Sequence, residues 1–233
     1  MLYSVVVIVY KVQYQANYQV GIKTAANAVG LQNTMKLSDF GHLLKGVVIM
    51  EKRNKVALII DVQNDFVTGA LANPLVQACL PYLAAKAIQQ RDEGWLFIGT
   101  KDTHADNEAE YLQTQEGRNL PVWHCGIGTW GHDIVSELAD IYESGSIAYI
   151  NKPTFGSIEL AEILQDLHEN DGIEIIEIVG FVSEICVVSN AILLKAYLPE
   201  VPIRVDSKGC AGITEQSHNE AMNVLRACQV EVI

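Results

Sequence analysis

The sequence predicts an α/β fold: a three-layer αβα domain whose six-stranded, mostly parallel sheet is doubly wound. Three observations predict it. Short, wholly apolar runs recur along the chain, as in Lys55-Val-Ala-Leu-Ile-Ile-Asp61 and Ser146-Ile-Ala-Tyr-Ile-Asn-Lys152, and such runs suit strands buried on both faces of a parallel sheet. Between them lie segments with helical spacing, and parallel neighbours require such crossovers. The chain of 233 residues is also long enough for one sizeable domain with a well-buried core.

In chain order, strands are expected at 55–61, 95–101, 147–151, 173–179, 202–206 and 229–232. A helix near 75–92 ends at Gly94, a suitable C′ residue, and Ser157-Ile-Glu-Leu opens the next. A third runs from about 185 to 198 and stops before Pro199, and the last spans Glu215 to about Cys228. The frequent six-stranded order 3-2-1-4-5-6 sets strands one and four side by side where the winding reverses, which is where such sheets bind ligands. No internal repeat or low-complexity linker interrupts this pattern.

Residues 1–49 read differently. They hold four lysines and one aspartate, a net of +3 that leaves −15 for residues 50–233, and they are rich in Gln and Asn. Their apolar opening, Leu2 to Tyr10, is too short to span a bilayer and lacks a basic segment ahead of it. We expect the native domain to start at Met50, with residues 1–49 as an appendage outside the core. For the whole chain, 49% hydrophobic and 19% charged residues indicate a soluble globular protein. The net charge of −12 argues against nucleic acid or an anionic membrane as partner and leaves small molecules open. Five cysteines, at 79, 125, 186, 210 and 228, form no even framework and no CxxC pair, which suits a reducing cytoplasm.

Chemistry-bearing residues stand at the strand exits. Cys186, in Gly180-Phe-Val-Ser-Glu-Ile-Cys186-Val187, falls where a strand ends and a helix begins. A helix N-terminus favours a thiolate, and a thiol lowered from about 8.5 to about 6 is roughly 90% ionised at neutral pH instead of about 3%. A buried packing role is the alternative for any lone cysteine. Asp61 closes the first strand and Lys152 the third, and the expected strand order brings Asp61 beside Cys186. After the second strand, Asp102 and His104 lie two residues apart, and His124 returns from a long loop. An extended chain turns such a pair to one side, where carboxylate and imidazoles suit zinc, iron or manganese.

The motifs Asp61-Val-Gln-Asn-Asp65-Phe66, Asp102-Thr-His104, His124-Cys125, Lys152 and Gly180 to Val187 occur in the order found in the isochorismatase-like cysteine hydrolases, the superfamily that contains the nicotinamidases. The resemblance extends across residues 55–233. It implies a triad of Asp61, Lys152 and Cys186, and a non-prolyl cis peptide at Phe181–Val182 that aims the N–H groups of Val182 and Cys186 at a developing oxyanion. It also implies a divalent metal, zinc foremost with iron or manganese as alternatives, held by Asp102, His104 and His124. No histidine lies between 104 and 124, so the fourth ligand must be an acid or absent; Glu116 is the choice over Glu108 and Glu110. Phe66, Trp123, Phe155 and Phe181 are expected to wall an aromatic-ring pocket, with core packing as the alternative. Gln63, Asn64 and Asp65 are read as tying down the turn after the first strand, and His42, His132, His168 and His218 as surface residues.

The activity so implied is hydrolysis of a small amide, nicotinamide first, in a cytoplasmic homo-oligomer, a dimer or tetramer. The competing expectations are another carbamoyl amidase, an isochorismatase cleaving a vinyl ether, and a non-catalytic scaffold. Isochorismatases commonly lack the metal cluster and do not need the cysteine, and intact Asp61, Lys152 and Cys186 argue against a scaffold.

Overall fold

A computed structural model of the chain describes residues 54–143 and 147–233. Its sheet has six strands: β1 (Asn54–Ile60), β2 (Leu96–Asp102), β3 (Ile147–Lys152), β4 (Ile173–Phe181), β5 (Ile203–Ala211) and β6 (Glu231–Val232). Their order is β3-β2-β1-β4-β5-β6, and every neighbouring pair is parallel. This is the doubly wound three-layer fold expected from the sequence, with β1 and β4 adjacent at the reversal.

Four long helices cover it: α1 (Pro74–Asp92), α2 (Ile158–Asp171), α3 (Val188–Tyr197) and α4 (Glu215–Ala227). Alternation along β1 divides the core. Val56, Leu58 and Ile60 pack with Leu160 and Leu164 of α2, Ala191 and Leu194 of α3, and Met222 and Leu225 of α4. Ala57 and Ile59 face the other way, onto Val76, Leu80, Leu83 and Ala87 of α1. A strand apolar at every position is therefore what two covered faces require. Each buried Val, Leu or Ile side chain stabilises the fold by about 1.5–3 kcal/mol relative to exposure.

Local chemistry sets the helix ends. Asn73 caps α1, its side chain accepting from Leu75 N–H, and Pro74 occupies the first helical position. Gly94, with φ of 79°, turns the chain out of α1 as expected. Ser157 caps α2, and Thr214 with Ser217 forms a capping box on α4.

The structure departs from expectation at three places. The segment after β4 is a π-helical turn, Ser183–Val187, before α3 begins at Val188, so Cys186 lies in a widened turn rather than a regular helix. β5 continues to Ala211, five residues past its expected end, because after a register shift Cys210 and Ala211 pair with Gly180 and Phe181. Gly180 itself has φ of 133°, and a Cβ there would lie 2.1 Å from the Ile60 carbonyl oxygen, so only glycine lets β4 approach β1 this closely. Finally, β6 is only two residues long. The expected appendage, residues 1–49, lies outside the described residues. Among the described residues no helix is long and apolar enough to cross a membrane.

Candidate active site

Three strand exits bring the central groups together. Asp61 follows β1 in a left-handed backbone conformation, φ 51°, a region that Asp tolerates better than most residues. Lys152 is the last residue of β3, and Cys186 sits in the π-helical turn after β4. Lys152 Nζ lies 2.7 Å from Asp61 Oδ2 and 3.3 Å from Cys186 Sγ. Asp61 Oδ1 accepts a hydrogen bond from Thr100 Oγ1 at 2.7 Å. Asp61 and Lys152 are fully buried, and Cys186 is 5% exposed. Groups distant along the chain thus converge at the edge where the winding reverses.

Burial governs their proton affinities. It pushes the Cys186 thiol well above the ordinary range, and the Asp61 charge adds to this more than Lys152 relieves it. Burial and the Asp61 charge thus oppose the ionisation that a helix N-terminus was expected to favour. Burial also raises Asp61, against the opposing charge of Lys152, which makes its carboxylate a better proton acceptor. Burial alone would lower Lys152, but the charges of Asp61, Cys186 and Asp102 outweigh it, and its ammonium is held well above the usual range.

Beside this triad the ligand atoms of Asp102, His104, Glu116 and His124 all lie within 4.8 Å of one another. Asp102 Oδ2 is 3.1 Å from His104 Nε2 and 3.3 Å from His124 Nε2. Glu116 Oε1 is 3.6 Å from His104 Nε2, whereas Glu108 and Glu110 are exposed on the short helix before it. His124 Nδ1 hydrogen-bonds the Val122 carbonyl at 2.7 Å, which turns Nε2 toward the cluster. Two imidazoles and two carboxylates converging in this way fit a divalent ion such as zinc, iron or manganese. Burial would raise Asp102, yet hydrogen bonds from both histidines and the Lys152 charge hold its carboxyl well below the usual range. Its second oxygen, Oδ1, lies 3.4 Å from Lys152 Nζ, so one carboxylate joins the two clusters.

Cys186 and the second cluster face a cavity of about 1040 Å³ to which Asp102, His104, Glu116, His124, Val182 and Cys186 contribute. The Phe181–Val182 peptide is cis, at the position the resemblance implies. Phe66 and Phe155 line the cavity. Trp123 and Phe181 do not: the Trp123 indole N–H donates to the Ala105 carbonyl at 3.1 Å, and Phe181 is fully buried in the core. Alternation along β4 sends Phe181 to the same face as Val179.

Several residues support the site, two of them, Gln63 and Asp65, from the turn that the sequence reading had them tie down. Gln63 clamps the Asp102 backbone, donating to its carbonyl at 2.9 Å and accepting from its N–H at 2.7 Å. Asp65 accepts from Cys125 N–H at 2.7 Å and Ala70 N–H at 2.9 Å, so it ties the His124 segment to the turn after β1. Asn190 donates to the Cys186 carbonyl at 2.8 Å and accepts from Ser157 N–H at 2.9 Å. His132, read as a surface residue, is buried and lies 3.0 Å from Thr103 Oγ1 through Nε2. His168 and His218 are half-buried and bond the Ile173 N–H and Ser183 Oγ. His42 lies outside the described residues. Gln63 and Asp65 are read from the sequence as fixing the turn after the first strand; nothing in the sequence signals Asn190.

A doubly wound sheet with thiol, carboxylate and ammonium at its reversal, next to a set of metal-ligating side chains, defines a class of α/β hydrolytic site. The chain belongs to the isochorismatase family, whose domain model matches residues 55–233. Among solved structures it is similar to a pyrazinamidase/nicotinamidase from Streptococcus mutans, with TM-score 0.67 and 24% identity over 77% of this chain and 100% of that one. A pyrazinamidase of Pyrococcus horikoshii in complex with zinc gives TM-score 0.64 and 22% identity over 77% and 98%. An N-carbamoylsarcosine amidase from Thermoplasma acidophilum gives 0.62 and 20% over 77% and 95%. No curated protein matches the sequence.

Proposed function

We propose that the protein is a cysteine amidohydrolase that converts a small amide, nicotinamide in the leading reading, to the carboxylate and ammonia. The observation that carries this is the meeting of Asp61, Lys152 and Cys186 within 3.3 Å contacts at Lys152 Nζ, with Cys186 on the wall of a cavity that Asp102, His104, Glu116 and His124 also line.

Asp61 takes the Cys186 proton as Sγ attacks the amide carbon, and the Lys152 ammonium balances the charge passing between them. The carbonyl oxygen, now an oxyanion, receives N–H groups of Val182 and Cys186, worth about 3 kcal/mol per donor in comparable sites. As the C–N bond breaks, protonated Asp61 gives its proton to the nitrogen and ammonia leaves. Asp61 then accepts a proton from water as the oxygen adds to the thioester. The C–S bond breaks, the proton returns to sulfur, and the carboxylic acid is released. Asp102, His104, Glu116 and His124 would hold a divalent ion, which supplies a Lewis acid to a donor atom of the substrate.

The same reading carries the expectation of a cytoplasmic homo-oligomer. The test is ammonia release from nicotinamide by the full chain and by Cys186→Ala. A loss of at least about a thousandfold is expected for removal of a nucleophile; a variant that keeps wild-type turnover ends the assignment.

A further inference from the structure

The cavity is much larger than the substrate just named. A single ring with its carboxamide occupies roughly 150 Å³, about five waters at about 30 Å³ each, whereas the cavity measures about 1040 Å³, at the top of the range of about 300–1,000 Å³ that holds drug-sized ligands. Away from the two clusters the lining is mainly apolar. Its walls are Leu71, Leu120, Phe155, Ile185 and Ile213, drawn from the loops that follow the strand exits rather than from the exits themselves.

Of the polar side chains among these loops, Asn73, Thr114 and Thr154 are committed to backbone groups, while Gln115 and Asn119 stand exposed at the rim. Asn73 accepts from Leu75 N–H and donates to the carbonyls of Gly212 and Ile213. Thr114 Oγ1 receives Gly117 N–H, and Thr154 Oγ1 donates to the Gly156 carbonyl. Asn73 thereby joins the wall at residues 70–74 to the wall at Ile213, which sets the apolar surface before any ligand arrives. Among the described residues no lysine or arginine lines the cavity, so the loop walls offer no cationic side chain to a carboxylate or phosphate. At the rim, Leu120, Phe155 and Ile213 are 37%, 44% and 57% exposed, large apolar groups that water solvates poorly.

We infer that the substrate is an amide whose acyl part carries an uncharged apolar substituent beyond its ring, seated against Leu71, Leu120, Phe155, Ile185 and Ile213. This rests on the amidohydrolase reading and narrows its substrate class. The amide reaches Cys186 while the substituent displaces water from the loop walls.

The experiment uses the full-chain protein with nicotinamide, benzamide and benzamides bearing 3- or 4-alkyl chains of one to six carbons. Ammonia release gives kcat/KM, and calorimetry with Cys186→Ala gives Kd without turnover. Both are expected to improve about fourfold per methylene until the walls are filled, the factor set by burying one CH₂. Leu71→Ser and Ile213→Ser should each flatten that slope. Values of kcat/KM and Kd that stay level or worsen with chain length overturn the inference, while nicotinamide turnover keeps the amidohydrolase reading. Ammonia release from no amide, with Kd still improving along the series, removes the amidohydrolase reading and leaves the apolar binding surface.

Discussion

Cys186 shows how far a residue can be read before its surroundings are known. Its place at a strand-to-helix junction was legible, as were Asp61 and Lys152 at their strand exits, because apolar runs ending in polar residues mark those exits. Its protonation was not: burial and Asp61 raise the thiol, and neither depends on spacing that a sequence displays. Alkylation of Cys186, followed site by site by mass spectrometry, should therefore be slow at neutral pH and accelerate only above the range of an ordinary thiol. A rate already at its plateau near pH 7 would show a standing thiolate instead. Asp61→Asn should slow amide turnover by about a thousandfold or more, since base and proton carrier are lost together. Thr100→Val removes one hydrogen bond from Asp61 Oδ1 and should cost turnover by a factor of about ten, the rate equivalent of roughly 1–1.5 kcal/mol.

Strands and long helices were legible in order and nearly in length, since burial on both faces and helix caps leave local signatures. The π-helical turn at Ser183–Val187 and the extension of β5 were not, because both depend on pairing between distant segments. The same applies to the acids inside β4 and β5. Lys86 Nζ on α1 lies 2.8 Å from Glu177 Oε1 and 2.8 Å from Asp206 Oδ2, and Arg204 Nη1 lies 3.3 Å from Glu177 Oε2. Lys86→Met leaves two buried acids short of a cation and should destabilise the fold by about 3–5 kcal/mol in denaturant titration. Burial tends to raise Asp206, but hydrogen bonds from Lys86 and Tyr82 hold its carboxyl below the usual value. A depressed folded pKa means stability present above the unfolded value near 3.9 and lost as pH falls through the folded one. Stability of Asp206→Asn should accordingly fall less steeply than wild type below about pH 4; matching slopes would contradict this.

Across the whole molecule, topology gathers the site. The order 3-2-1-4-5-6, expected from fold frequency, places β1 against β4, and the register that sets Asp102 opposite Lys152 puts the two clusters side by side. The convergence of Asp102, His104, Glu116 and His124 was half legible: Asp102 and His104 announce themselves by spacing, whereas Glu116 follows only from the family resemblance. Loop side chains such as Trp123 were misplaced because alternation fails where the chain is neither helix nor strand. Dialysis against a chelator should lower the Tm and release zinc, iron or manganese measurable by elemental analysis, both reversed on adding the ion back; unchanged Tm and no released metal would remove the ion. We expect deletion of residues 1–49 to leave Tm and turnover unaltered, and loss of either would make that segment part of the working domain. The most direct test of the central claim is mass spectrometry of protein quenched with acid during turnover of the amide it hydrolyses fastest. The account predicts an acyl adduct, the substrate less ammonia, on the peptide bearing Cys186 and absent from Cys186→Ala. Steady hydrolysis without that adduct, sustained in Cys186→Ala, would contradict it.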